Sequence, residues 1–174
     1  MKKSITKQIL AAILALVVTM SLFSNVYAAC YCDSRASGYG YVITTSTNGS
    51  NVRRGPGTNY AKVGAVPGGV ALYTSERRGN WAKIRTGVYD GYWICTTYTV
   101  NAQWSRKTVQ VTARSGLNLR RGPSTSFGII RTISYGTVLT SVYQCTNGWY
   151  YVSNGNYSGW VSGSYLRVIS SSCR

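Results

Sequence analysis

Residues 51–58 read Asn-Val-Arg-Arg-Gly-Pro-Gly-Thr, and residues 118–125, sixty-seven positions later, read Asn-Leu-Arg-Arg-Gly-Pro-Ser-Thr. Only two of the eight positions differ, so a chance recurrence is implausible. Further pairs follow in the same order: Tyr60 and Phe127, Gly69 and Gly136, Trp81 and Trp149, Trp93 and Trp160, Tyr98 and Tyr165. The sequence therefore contains a tandem duplication. We call residues 40–100 repeat 1 and residues 108–169 repeat 2.

Short strand-forming runs separated by glycine turns occur in both repeats, and no helical period of apolar residues extends beyond one turn. In repeat 1 the predicted strands lie near residues 41–45, 52–53, 62–66, 70–73, 81–84 and 93–94. In repeat 2 they lie near residues 129–133, 138–142, 149–152 and 160–161. This spacing predicts an all-β protein with a small barrel in each repeat. The segment of residues 101–107 that connects the repeats is too short to be a flexible linker, so the barrels are expected to lie close together.

The repeated octapeptide predicts a structural corner. Because side chains alternate along a strand, Leu117 and Leu119 share one face while Asn118 and Arg120 share the other. The asparagines are interpreted chiefly as bracing the following Gly-Pro turn. The sequence favours a type II turn in repeat 1, where a glycine follows the proline. The turn residues are Asn51, Gly55, Pro56, Asn118, Gly122 and Pro123.

The charge is strongly one-sided, with 19 Lys and Arg residues against 3 Asp and Glu, a net charge of +16. Loss of Lys2, Lys3 and Lys7 with a cleaved leader would lower this to +13. Such a field attracts anionic polymers such as nucleic acid, teichoic acid or anionic lipid surfaces.

The first 28 residues are typical of a secretory signal peptide. A basic start is followed by an apolar run from Ile9 to Phe23 and then by Val26-Tyr27-Ala28, which suits signal peptidase. No later stretch is apolar enough to span a bilayer. The sequence therefore predicts an exported protein.

Five cysteines are an odd number for an oxidising compartment. Two disulfides and one spare thiol are expected, with Cys32 or Cys30 paired to Cys95, and Cys145 paired to Cys173, as one arrangement. Lipidation of Cys30 is an alternative fate for the odd cysteine. A metal site is disfavoured because the chain has no histidine and no repeated CxxC motif.

The residues needed for common hydrolytic mechanisms are missing. Without histidine, Cys–His peptidases, Ser–His–Asp hydrolases and His-liganded zinc amidases are excluded in their usual forms. The three acids, Asp33, Glu76 and Asp90, are not arranged as a glycosidase pair. The sequence contains neither a phosphate-binding loop nor a dinucleotide-binding motif, so no motif indicates a cofactor. The sequence therefore predicts a non-catalytic protein that needs no cofactor.

Repeat 2 resembles the bacterial SH3 domain family over most of its length. The resemblance is carried by Leu117 to Pro123, Gly136-Thr137-Val138, Asn147-Gly148-Trp149, Gly159-Trp160-Val161 and Ser164-Tyr165-Leu166. Repeat 1 is similar but has Asn80 before its tryptophan, an inserted Tyr92 and Thr99 in place of leucine. The resemblance implies two SH3-like barrels, residues 40–100 and 108–169, that target the bacterial cell wall. It does not imply recognition of proline-rich peptides.

The predicted function is attachment to peptidoglycan, with teichoic acid as a further wall partner. Two alternatives remain: a general polyanion or nucleic-acid binder, and an exported module that binds or inhibits another protein. The tryptophans are interpreted first as core residues, and arginines beside aromatic side chains are interpreted as the ligand surface. The predicted ligand residues are Arg53, Tyr60, Trp81, Trp93, Arg120, Phe127, Trp149, Tyr151, Tyr157 and Trp160.

Overall fold

The computed structural model describes residues 40–171, which lie in one compact unit. The expected all-β class is confirmed. In repeat 1 the strands are β1 (Gly40–Thr44), β2 (Ser50–Arg53), β3 (Lys62–Val66), β4 (Ala71–Arg78), β5 (Trp81–Ile84), β6 (Trp93–Cys95) and β7 (Thr99–Trp104). In repeat 2 they are β8 (Lys107–Val111), β9 (Leu117–Arg120), β10 (Ile129–Ile133), β11 (Val138–Cys145), β12 (Trp149–Ser153), β13 (Ser158–Ser162) and β14 (Leu166–Ser171). Short 3-10 turns at Gly87–Tyr89, Thr96–Tyr98 and Gly163–Tyr165 complete these described residues.

All the described strands belong to one hydrogen-bonded sheet. Its main path runs β10-β9-β13-β12-β11-β7-β1-β4-β5-β6-β2-β3, and β8 joins it by pairing with both β11 and β14. The sheet is curled into a half-barrel shape, which is in keeping with an SH3-like fold. The two repeats use the same internal pairing, because β1 lies between β4 and β7 just as β8 lies between β11 and β14.

Each repeat encloses its own hydrophobic cluster. The cluster of repeat 1 includes Val42, Val52 and Ile94, which are at most 1% exposed. The cluster of repeat 2 includes Leu119 and Val161, both fully buried. The octapeptide therefore contributes Val52 and Leu119 to the two interiors, as its alternation predicts, while the neighbouring polar residues lie on the other strand face.

A third cluster joins the repeats on the opposite side of the sheet. Ile43 from repeat 1 and Ala102 from the segment between the repeats pack against Cys145 and Trp160 from repeat 2. The contact is also a strand pairing, in which Ala102 lies opposite Cys145 and Trp104 lies opposite Tyr143. The close approach of the repeats is thus confirmed. The residues between the repeats, however, lie mostly in β7 and at the start of β8, and only Ser105 and Arg106 connect the two strands.

The Gly-Pro corner is a tighter turn than the sequence predicted. Gly57 is absent from the glycines with a positive φ, which a type II turn would require. Instead, the Gly57 amide donates to the Gly55 carbonyl at 3.0 Å, and the Ser124 amide donates to the Gly122 carbonyl at the same distance. This i→i+2 bond places the proline at the centre of a γ-turn, for which its fixed φ is suited. Serine and glycine therefore serve equally well after the proline.

Cys95 is a half-buried free thiol and Cys145 is a buried one. The suggested disulfide pairings are not supported, and Cys30, Cys32 and Cys173 lie outside the described residues. The signal peptide prediction also falls outside them. Within residues 40–171, no helix has the length and apolar character needed to cross a membrane.

Candidate binding surfaces

Arg53 and Arg120 brace the two corners. The Arg53 guanidinium donates from Nη1 to the Tyr60 carbonyl oxygen at 2.8 Å. In repeat 2 the Arg120 Nη1 donates to the Phe127 and Thr125 carbonyl oxygens at 2.7 and 3.1 Å. Each guanidinium therefore closes the loop that follows its Gly-Pro turn. These contacts establish a structural role for residues that the sequence predicted at a ligand surface.

The predicted asparagine brace is made by a different residue. Asn118 Oδ1 accepts a hydrogen bond from the Thr132 hydroxyl at 3.0 Å, which links β9 to β10 instead of holding the turn. In repeat 2 the turn is held by Asn147, whose Nδ2 donates to the Pro123 carbonyl at 3.1 Å. Asn51 is exposed on β2. The bracing amide therefore comes from the turn between β11 and β12.

An open groove of about 250 Å³ lies on repeat 2 beside the corner. Arg120 and Trp149, two of the predicted ligand residues, contribute to its wall. Tyr165 completes this wall and is 52% exposed on its 3-10 turn. The remaining lining residues are small or polar apart from Leu117, namely Ala113, Ser115, Gly116, Leu117, Asn118, Thr125 and Ser162. The groove thus combines aromatic surface with hydrogen-bonding groups and contains no acidic side chain.

Phe127 and Trp160 lie beneath a turn of repeat 1 instead of on a surface. The Trp160 Nε1 donates to the Gly69 carbonyl oxygen at 3.1 Å, and Trp160 is only 1% exposed. Gly68 lies against the Phe127 ring so closely that a Cβ would overlap the ring. The turn is fixed to β1 because the Gly69 amide donates to the Thr44 carbonyl at 2.8 Å. These two predicted ligand residues therefore contribute to the contact between the repeats.

The corresponding face of repeat 1 is charged. Arg78 and Lys83 lie over the Trp93 ring, at 5.6 and 5.8 Å from its centroid. Glu76 pairs with the same two cations, at 2.7 Å from Arg78 and 3.8 Å from Lys83. Tyr60, the counterpart of Phe127, is 44% exposed. Repeat 1 therefore presents a solvated ionic cluster at the position where repeat 2 packs against its neighbour.

Aromatic side chains form a row across the outer face of the sheet. Strand register places Tyr73 opposite Tyr41, Trp104 opposite Tyr143, Tyr143 opposite Tyr151, and Tyr151 opposite Trp160. Neighbouring ring centroids lie 5.0 to 6.4 Å apart in tilted or edge-to-face arrangements, the range expected for interacting aromatic pairs. We call these residues the aromatic row: Tyr73, Tyr41, Trp104, Tyr143, Tyr151 and Trp160.

The aromatic row is buried at Trp160 and open at its centre. Trp104 is 51% exposed, whereas the tyrosines are half-buried. Burial raises the pKa of Tyr143 to about 12, with Tyr41 and Tyr151 adding to the effect, so its hydroxyl stays neutral. Burial likewise raises the pKa of the nearby Cys145 thiol to about 12, which disfavours the reactive thiolate.

Sequence reasoning found Tyr151 and Trp160 but missed the other four members of the row. Trp104 lay in the presumed connector, and Tyr41, Tyr73 and Tyr143 have no aromatic counterpart in the other repeat. The detectable signal was the alternation of Val100, Ala102 and Trp104 with polar residues, which is typical of a strand with one buried face.

Two other predicted ligand residues lie away from the row. Tyr157 carries the Arg131 guanidinium over its ring at 4.3 Å. Trp81 is half-buried and lies opposite Cys95 in the pairing of β5 with β6. The predicted set is thus distributed over several surfaces. Among residues 40–171, no group of three or more His, Cys, Asp or Glu side chains could hold a metal ion.

Comparison with known proteins gives a relative in Bacillus subtilis (strain 168), which carries the name of an N-acetylmuramoyl-L-alanine amidase, YrvJ. The two are 26% identical over 151 residues, which cover 79% of this chain and 29% of the relative. The chain therefore spans less than a third of that relative's length.

Two solved structures from Trichomonas vaginalis, NlpC2 and NlpC1, are 16% and 15% identical to this chain. The matches cover 74% and 78% of this chain and 48% of each solved structure, and both have a TM-score of 0.32. The chain thus spans about half of each. At residues 115–167, which include every groove-lining residue of repeat 2 except Ala113, the sequence matches the family described as the bacterial SH3 domain. This chain therefore contains a bacterial SH3 domain.

Proposed function

We propose that this protein is a non-catalytic, secreted binding protein whose two SH3-like repeats attach it to peptidoglycan in the bacterial cell wall. The observation that carries the proposal is the open groove on the bacterial SH3 domain, lined by Arg120, Trp149 and Tyr165. An arginine with free donor positions suits a carboxylate or a carbonyl, and aromatic faces suit sugar rings or peptide amides. The amidase name of the B. subtilis relative supports a wall partner.

A second function, general binding of polyanions, is favoured by the net charge of +16. Teichoic acid and nucleic acid are both phosphodiester polymers, and the basic surface would attract either of them. Such binding falls steeply as salt rises because it depends on counterion release. A groove that recognises uncharged or partly buried groups would be far less sensitive to salt.

The two functions are separated by retention of the protein on purified peptidoglycan, with and without teichoic acid, across a salt series. We expect retention on teichoic-acid-free peptidoglycan to persist at high salt. Complete release above moderate salt from every wall preparation would instead establish charge as the sole cause of binding.

The groove itself is tested by Tyr165→Ala, with Tyr98→Ala as the matched control. The two tyrosines are counterparts in the repeats, each ends a 3-10 turn, and they are 52% and 53% exposed. Loss of the Tyr165 ring should weaken high-salt binding about tenfold, the equivalent of about 1.4 kcal/mol. Tyr98→Ala should have a smaller effect. Equal binding by the two variants and the unaltered protein would contradict a role for this groove.

A further inference from the structure

The aromatic row is an uncharged surface on a strongly basic protein. None of its six side chains carries a charge, whereas the chain as a whole has a net charge of +16. Charged wall components, such as phosphates and free carboxylates, would gain more from the basic surfaces elsewhere. The row is therefore suited to a ligand that offers apolar ring faces and hydroxyl or amide groups without charge.

The row is also continuous across both repeats, which distinguishes it from the groove. Tyr73 and Tyr41 come from repeat 1, Tyr143 and Tyr151 come from repeat 2, and Trp104 contacts both sides, at 6.4 Å from Tyr41 and 5.0 Å from Tyr143. Core packing accounts for the Trp160 end. It does not account for Trp104, a large apolar side chain that leaves half of its surface in water.

We propose that the aromatic row binds the uncharged glycan chain of peptidoglycan, with Trp104 as its central stacking residue. Successive sugar rings would lie along successive aromatic side chains, and tyrosine hydroxyls would hydrogen-bond to sugar hydroxyl or acetamido groups. This proposal rests on the proposed wall-binding function and names the wall component recognised at a second surface. A single sugar would contact one or two rings, so affinity should rise with the length of the oligosaccharide.

The test uses an uncharged probe, the linear hexamer of β-1,4-linked N-acetylglucosamine, with the full chain. Calorimetry should detect binding that changes less than twofold between low and high salt, because the probe has no charge to screen. Trp104→Ala should weaken it about tenfold. Tyr135→Ala is the matched control, since Tyr135 is 58% exposed but lies outside the row, with Arg114 over its ring. This variant should bind the hexamer as tightly as the unaltered protein does.

Trp104→Phe separates loss of stacking from loss of folding. It retains an aromatic ring, so the hexamer should still bind, but the change in tryptophan fluorescence on binding should largely disappear. Absence of hexamer binding while the protein still binds intact peptidoglycan would overturn the glycan proposal and leave the wall-binding function standing. Equal hexamer binding by Trp104→Ala and the unaltered protein would overturn the proposal as well. Failure to bind either ligand would overturn both.

Discussion

At the scale of single residues, Gly69 and Gly136 show how one duplicated position acquires two roles. Both have a left-handed backbone, with φ of +83° and +80°, so both suit the tight turn that the sequence predicted. Gly136 has nothing near the position of a Cβ, whereas at Gly69 a Cβ would collide with the Arg121 carbonyl oxygen of repeat 2. Sequence comparison reveals the shared turn. It does not reveal the contact, which depends on a partner surface about fifty residues away.

The pair therefore provides a direct measurement of that contact. Gly136→Ala should lower the free energy of unfolding by about 1–2 kcal/mol, the cost of placing a non-glycine residue in the left-handed region. Gly69→Ala should cost about 1–3 kcal/mol more, because a clash with backbone is added to the same strain. Urea unfolding of both variants checks the difference, and equal losses would mean that the turn does not rest on repeat 2.

At the scale of elements, β7 is the strand that the sequence least clearly announced. It pairs with β1 on one edge and with β11 on the other, and so belongs to both repeats. The strands near the duplicated motifs were predictable because their alternation occurs twice. The second partner of β7 was not predictable, since its counterpart β14 pairs, among the described strands, with β8 alone. Long-range strand pairing is set by the surfaces that meet, which local propensity does not encode.

Neighbouring positions on β7 should respond very differently to the same substitution. Ala102 is 7% exposed and faces the cluster between the repeats, so Ala102→Asp would bury a carboxylate with no cation in that cluster. We expect a loss above about 3 kcal/mol in the free energy of unfolding. Gln103→Asp changes an exposed residue on the opposite face and should cost less than about 1 kcal/mol. Thermal unfolding of both variants would test this, and similar melting temperatures would contradict the buried interface.

At the scale of the whole molecule, the duplication accounts for the two internal clusters but not for the cluster that unites them. The informative positions are those where the repeats differ. Glu76 and Lys83 in β4 and β5 correspond to Tyr143 and Tyr151 in β11 and β12, so an ionic pair in one repeat is an aromatic pair in the other. These differences can be interpreted only when the strand register is known, because the register decides which side chains are neighbours. The ligand residues predicted from single motifs therefore lie on several separate surfaces.

Because β7 and the third cluster belong to both repeats, the repeats should unfold together. Calorimetry should show one transition whose van't Hoff and calorimetric enthalpies agree. Two separable transitions, or a van't Hoff enthalpy near half of the calorimetric value, would mean that the repeats are independent. Ala102→Asp offers the control, since weakening the shared cluster should broaden or split the transition.

The ionic cluster on β4 also has a consequence for self-association. In this molecule β7 pairs with the end of β11, and β14 is the exposed strand that corresponds to β7. If β14 of one molecule paired in the same way with β4 of the next, the contact would be head-to-tail and would generate an open-ended filament. The acceptor segment is Glu76-Arg77-Arg78, whose charged groups would have to leave water to accept a strand. Charge at the β4 edge would therefore oppose a second pairing of this kind, and with it the growth of a filament.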